Sequence, residues 1–168
     1  MTEDFPMRPN EMTADVMPAT DASLTYIGHI ETPWTRPEDC PRQGDSVAGP
    51  DCALVVAPPW LPALTGIDAY PFLDILYWMH LSRRDLILQN PDHGDAARGT
   101  FSLRSPIRPN PIGLSNVRLI GWAGNRVTVR GLECVSGTPL LDIKPDRRHF
   151  TPPSRDRAGG QTSPEAGG

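Results

Sequence analysis

A chain of 168 residues is long enough for one domain with a real hydrophobic core and too short for two. Its 20 prolines, more than twice the usual share of about 5%, argue against a helical bundle, since Pro lacks a backbone donor and breaks helix interiors; short strands joined by stiff loops are expected instead. The net charge of −4 names no partner, no run of about 18 apolar residues is present, and the opening Met1-Thr2-Glu3-Asp4-Phe5-Pro6 has neither a basic nor an apolar leader region, so membrane-spanning and secreted chains are not expected and a cytoplasmic one is.

Residues 1–23, rich in Met, Pro, Thr and acids, show no apolar period and predict a disordered arm. Leu24–Ile30 alternates apolar and polar residues, Ala53–Ala57 is a short apolar run, and Phe72–His80 is a longer buried-looking one, each bounded by Pro or Gly. Helix is expected to be limited to a turn or two near Pro62–Thr65 and Ser82–Gln89. Gly99–Arg104 sets Phe101 and Leu103 against Thr100, Ser102 and Arg104, which predicts a strand with Arg104 on the face opposite the core. Val117–Trp122 and Arg126–Arg130 flank Ala123-Gly124-Asn125, a tight hairpin. Leu140–Ile143 gives a last strand, and the tail 151–168 is expected to be disordered. The fold predicted for residues 24–150 is all-β, a small closed or nearly closed antiparallel barrel.

Cys40, Cys52 and Cys134 are odd in number and lack C-x-x-C spacing, so they read as reduced thiols. His29, His80, His93 and His149 are equally scattered, and no metal site is expected. Charge is segregated: residues 24–97 hold ten acids and four bases, whereas residues 98–148 hold nine bases and three acids. The basic segment offers Arg forks for phosphates, with a plain solvated face as the alternative. Fifteen of the sixteen bases are Arg; Lys144 is the exception.

Three loop clusters are too polar, too Pro-rich or too Gly-rich for strand interior: Cys40–Gln43, Arg104–Ser115 and Ser136–Pro145. In the second, prolines fix φ around Arg104, Arg108 and Asn110, presenting those side chains with little entropy to lose on binding; loops that merely cap a barrel are the other reading.

Taken together the clusters resemble the TrmO/TsaA-like family of tRNA methyltransferases, over about Tyr26 to Asp146. The resemblance rests on Ile27-Gly28-His29-Ile30 with Thr32-Pro33, on Pro41-Arg42-Gln43, on Leu64-Thr65-Gly66-Ile67-Asp68, on Phe101–Ser115, and on Gly137-Thr138-Pro139 followed by Asp142-Ile143-Lys144-Pro145. It implies a homodimeric β-barrel that binds S-adenosylmethionine outside any Rossmann fold and methylates the 6-amino nitrogen of threonylcarbamoyl-adenosine beside the tRNA anticodon. The lack of a strand followed by G-x-G-x-x-G agrees with a non-Rossmann site. By position, the donor is expected to meet Pro41, Arg42, Gln43, Phe72, Leu73, Arg104, Leu114 and the turn Ser136, Gly137, Thr138 and Pro139. Arg42 and Arg104 are the carboxylate or phosphate candidates, and Leu73 and Leu114 line the adenine slot or serve as ordinary core.

Asp142 is the general-base candidate and Lys144 the group that polarises the carbamoyl oxygen or holds the substrate carboxylate, with a purely orienting loop acid as the alternative. Arg108, Asn110, Arg118, Arg126 and Arg130 are the candidate tRNA contacts. The chain departs from the family where a Ser-His pair is replaced by Pro71-Phe72, where the acid before Gly-Thr-Pro is Ser136, and where the Tyr after Lys-Pro is Asp146. A donor-binding protein with a substrate other than tRNA, or a non-catalytic donor-binding module, stays open at this point.

Overall fold

A computed structural model describes residues 6–15, 22–91, 93–94 and 96–148. The described residues form nine strands: β1 (Met12–Thr13), β2 (Gly28–Glu31), β3 (Asp51–Val56), β4 (Phe72–Trp78), β5 (Leu86–Gln89), β6 (Arg98–Gly99), β7 (Ile112–Ala123), β8 (Arg126–Arg130) and β9 (Thr138–Pro145). Six of them close a barrel in the order β2-β3-β8-β7-β4-β9, every pair antiparallel. Closure removes both sheet edges, which short exposed strands would otherwise leave open to other chains. The remaining three make a small sheet, β1-β5-β6, beside the barrel.

The period-2 pattern of each strand sends alternate residues inward. Ile30 from β2, Leu54 and Val56 from β3, Leu73, Ile75 and Tyr77 from β4, Val117 from β7, Val127 and Val129 from β8 and Leu140 from β9 fill the interior. Burying one such side chain contributes about 1.5–3 kcal/mol. The Tyr77 hydroxyl sits 2.9 Å from the Ser115 hydroxyl, so the one phenol in the core is hydrogen-bonded, and burial pushes its pKa up. The expected hairpin is present, β7 and β8 joined through Gly124-Asn125. A register shift between Leu76 and Tyr77 puts an extra β9 residue, Leu141, between Leu140 and Asp142. This bulge switches inward and outward faces, so Leu140 and Ile143 point in while Asp142 and Lys144 point out.

Three sequence expectations change. Helix is confined to short 3-10 turns, Pro58–Leu64 among them, and Ser82–Gln89 carries no helix; its second half is β5, because β1 and β6 supply partners on both sides. Residues 6–15, expected within a disordered arm, hold β1, whose neighbour Glu11 accepts the Asn90 N–H at 3.2 Å. The predicted strand Gly99–Arg104 is inverted: after β6 the chain turns through a 3-10 segment, burying Thr100 and exposing Phe101. Thr100 is the inward residue because its hydroxyl donates to the Leu86 carbonyl at 2.7 Å and accepts from Gln89 at 2.8 Å. Residues 1–5, 16–21 and the tail 151–168 lie outside the described residues.

Candidate functional site

The barrel register brings the C-terminal ends of β2, β4 and β8 and the N-terminal ends of β3, β7 and β9 to one mouth. The loops carrying two of the three predicted clusters are tied together there by backbone bonds. The Ser136 N–H donates to the Trp34 carbonyl and the Gly137 N–H to the Ile30 carbonyl, both at 2.7 Å, while the Thr138 hydroxyl donates to Val135 at 2.7 Å. The Thr32 hydroxyl adds a bond to the Cys134 carbonyl at 2.8 Å. The Pro41-Arg42-Gln43 segment leads into Gly44, whose N–H donates to the Glu133 carboxylate at 2.5 Å. A Cβ at Gly44 would lie 1.9 Å from the Gly131 carbonyl oxygen, so only glycine permits this approach.

The third cluster reaches the same mouth. Arg104 donates to the Leu114 carbonyl at 2.6 Å, and the Met79 N–H to the Pro111 carbonyl at 2.8 Å, which pins the Pro-rich loop to the end of β4. Leu114 is 46% exposed and points outward, beside Leu76 on β4.

Phe72 and Leu73 do not join this group. They open β4 at the opposite mouth, with Phe72 across from Arg118, and the Leu73 side chain is buried in the barrel. Phe72 and Trp78 are the two ends of the seven-residue β4, six steps or about 20 Å apart at 3.3 Å per residue. What β4 delivers to the Arg104 mouth is Trp78, Met79 and His80. Sequence reading missed His80, although the length of the apolar run Phe72–His80 already places its two ends at opposite mouths of a barrel.

Asp142 and Lys144 occupy the outer face of β9. The Lys144 ammonium lies 2.6 Å from Asp142 Oδ2, and this partner raises the lysine pKa, while Oδ1 accepts the Ile143 N–H at 2.9 Å. The two side chains therefore share one face of the strand, as their two-residue spacing requires. Asp142 also borders a groove of about 390 Å³ walled by Trp60, Leu64, Ile67, Tyr70 and Ile143, capped by the Leu64–Asp68 motif. From Thr138 at the mouth to Asp142 the strand runs about 13 Å.

One row along, Lys144 stands across from Asp74, and Asp74 from Asn116. Asn116 Nδ2 donates to both Asp74 and Asp146 at 2.9 Å. Asp146, 2% exposed, accepts the Arg148 guanidinium at 3.0 Å on each oxygen and the Arg148 N–H at 2.9 Å. The Arg148 side-chain bonds and backbone N–H hold the Asp146 carboxyl down at about 2. The residue that departs from the family tyrosine is thus an anchor for the chain leaving β9.

The five candidate tRNA contacts separate. Arg108 donates to the carbonyls of Ser105, Thr100 and Leu103 at 3.0, 3.3 and 2.6 Å, so it braces its own loop. Arg126 pairs with Glu31 at 2.6 Å and Arg130 with Asp51 at 2.5 Å. Arg118 is exposed and makes no ion pair among the described residues. Asn110 is exposed on the Pro-rich loop, and its carbonyl accepts the Ile112 N–H at 2.7 Å. Among the described residues no group of three or more His, Cys, Asp or Glu could hold a metal ion. Among the described residues no helix is long and apolar enough to cross a membrane.

The mouth suits a zwitterionic methyl donor. Arg42 is exposed with no ion pair among the described residues, and the Arg104 guanidinium keeps N–H groups beyond its single carbonyl bond. Leu114 offers apolar surface. Gly137, at φ 85°, leaves its outer side open, with nothing within 4 Å of a Cβ built there. An anion fork, a bare peptide turn for a sulfonium and an apolar wall are the groups such a donor needs.

The fold is a closed six-stranded antiparallel barrel of the small-barrel class. The family model for the tRNA-methyltransferase O N-terminal domain matches residues 29–150. The chain belongs to that family. It is 50% identical over 141 residues to a protein of Rhizobium radiobacter named as probable S-adenosyl-L-methionine-binding protein VirR, covering 84% of this chain and 80% of that one. It is 33% identical over 129 residues to the tRNA (adenine(37)-N6)-methyltransferase of Escherichia coli, covering 71% of this chain and 55% of the enzyme. Among solved structures, TrmO from Pseudomonas aeruginosa matches with a TM-score of 0.62 and 29% identity, over 86% of this chain and 64% of that one. The chain thus spans most of the first relative and under two thirds of the latter two.

Proposed function

We propose that this protein is an S-adenosylmethionine-dependent methyltransferase that modifies the 6-amino nitrogen of threonylcarbamoyl-adenosine next to the tRNA anticodon. The observation that carries the reading is the convergence of Arg42, Arg104 and the Ser136–Pro139 turn on one barrel mouth, in a chain of the tRNA-methyltransferase O family. When bound, the donor supplies a methyl group on a sulfonium. Arg42 and Arg104 would hold its carboxylate, the Gly137 turn would receive the sulfonium end, and Leu114 with Met79 and His80 would offer apolar surface to the adenine. His80 takes the place that sequence reading gave to Phe72 and Leu73.

The acceptor nitrogen shares its lone pair with the purine and the carbamoyl carbonyl, so it attacks poorly while it keeps its proton. Asp142 is the base for that proton, received at Oδ2. In the free protein Oδ2 is held by Lys144. The threonyl carboxylate of the substrate draws Lys144 away and frees Oδ2. Lys144 then anchors the substrate whose N–H bond breaks as the nitrogen–methyl bond forms.

A homodimer accords with the outward row Leu76, Trp78, Ile112 and Leu114, an apolar stripe beside the donor mouth. A cytoplasmic location follows from a tRNA substrate. The test is methyl transfer from labelled donor to bulk tRNA, with mass spectrometry of the nucleosides. Label in the methylated threonylcarbamoyl-adenosine supports the reading, whereas label in a protein or small-molecule fraction replaces the substrate, and calorimetry without donor binding removes the reading altogether.

A further inference from the structure

Phe101 is the most exposed large apolar side chain among the described residues, at 86%, and neither the donor mouth nor the Asp142 groove uses it. The backbone beneath it is heavily braced. Thr100 is 3% exposed and bonded on both sides of its hydroxyl, the Ser102 hydroxyl donates to the Gly99 carbonyl at 2.7 Å, and Arg108 forks onto the carbonyls of Thr100 and Leu103. A bare aromatic ring in water is unfavourable, and a braced backbone beneath it has little entropy to lose when the ring makes a contact.

Its surroundings indicate the kind of contact. In the chain it follows buried Thr100 and precedes exposed, polar Ser102. Arg98 and Arg104, both exposed, bracket it in sequence, at the start of the segment with nine bases and three acids. An exposed ring on a braced turn, within a basic stretch of the chain, suits unpaired RNA, whose bases offer a π face and whose phosphates offer charge. Arg104 also ties this loop to the donor mouth through Leu114.

We infer that Phe101 stacks on an unpaired nucleobase of the RNA substrate beside the donor mouth. This rests on the tRNA reading above and assigns a substrate-positioning residue within it.

The test compares the full chain with Phe101→Ala and Phe101→Trp, using an anticodon-type stem-loop RNA and a fully paired duplex of equal length. Loss of one base stack should weaken stem-loop binding by about 10- to 100-fold in Phe101→Ala, with duplex binding and the salt slope unchanged because no phosphate contact is lost. Phe101→Trp should restore it. Equal stem-loop affinity in wild type and Phe101→Ala, while wild type binds, overturns this inference alone. A shift from dimer to monomer by light scattering, or weaker donor binding, in Phe101→Ala overturns it by assigning the ring to another contact. Absence of stem-loop binding in wild type overturns the tRNA reading and this inference together.

Discussion

Lys144, the chain's one lysine, holds its ammonium 2.6 Å from the Asp142 carboxylate on the outer face of β9, where the bulge at Leu141 turns both side chains away from the core. Without that extra residue the register would slip by one and Asp142 would point inward. The pair leaves the acid outside the packed barrel, beside its own counter-ion.

Replacing Asp142 by Asn keeps the shape and removes the basicity. Single-turnover methylation of tRNA should fall by about two orders of magnitude or more, with donor affinity by calorimetry unchanged. Lys144→Gln should instead raise the KM for tRNA more than it lowers kcat, because the lost group binds the substrate carboxylate. An unchanged rate in Asp142→Asn assigns that residue to structure.

The Gly44 approach to Gly131 positions the Pro41-Arg42-Gln43 segment. Gly44→Ala forces the loop off the barrel mouth, and donor binding should weaken about tenfold or more while the β-barrel circular dichroism stays native. Arg42→Ala should weaken donor binding by a similar factor without moving any backbone, since one charge-assisted hydrogen bond is worth about 1.5–3 kcal/mol.

Asp146 has a depressed pKa of about 2, caused first by the Arg148 side chain, so its contribution to folding is present above the ordinary carboxylate pKa near 3.9 and is lost as pH falls toward 2. Asp146→Asn should lower Tm by about 3–6 °C at neutral pH. The difference from wild type should shrink between about pH 4 and pH 2. A constant difference across that window would show that the carboxylate charge is not what stabilises the end of β9.

The arginines should divide by partner. Arg118→Ala removes a guanidinium that has no ion pair among the described residues, and it should reduce the salt slope of tRNA binding by roughly one unit. Arg108→Ala should lower Tm instead, since three backbone carbonyls lose their donor.

The strands of the barrel were legible because alternation is a local property. Val117–Trp122, Arg126–Arg130 and the turn between them carry their own period and their own chain reversal, and Phe72–His80 announces a buried strand by its composition. The ordered loop motifs, read with the family resemblance, named Arg42, Arg104 and Ser136–Pro139, and these come together at one mouth. Tertiary structure decided matters that depend on distant partners. Thr100 rather than Phe101 turns inward because Gln89 and Leu86 wait for its hydroxyl, and Leu86–Gln89 is a strand because β1 and β6 flank it. Phe72 and His80 lie at opposite mouths because β4 crosses the whole barrel, and Arg126 and Arg130 lie beside Glu31 and Asp51 because closure sets β8 next to β3 and near β2. Period and turn chemistry act over a few residues and are written in the chain, whereas pairing depends on which strands closure brings side by side.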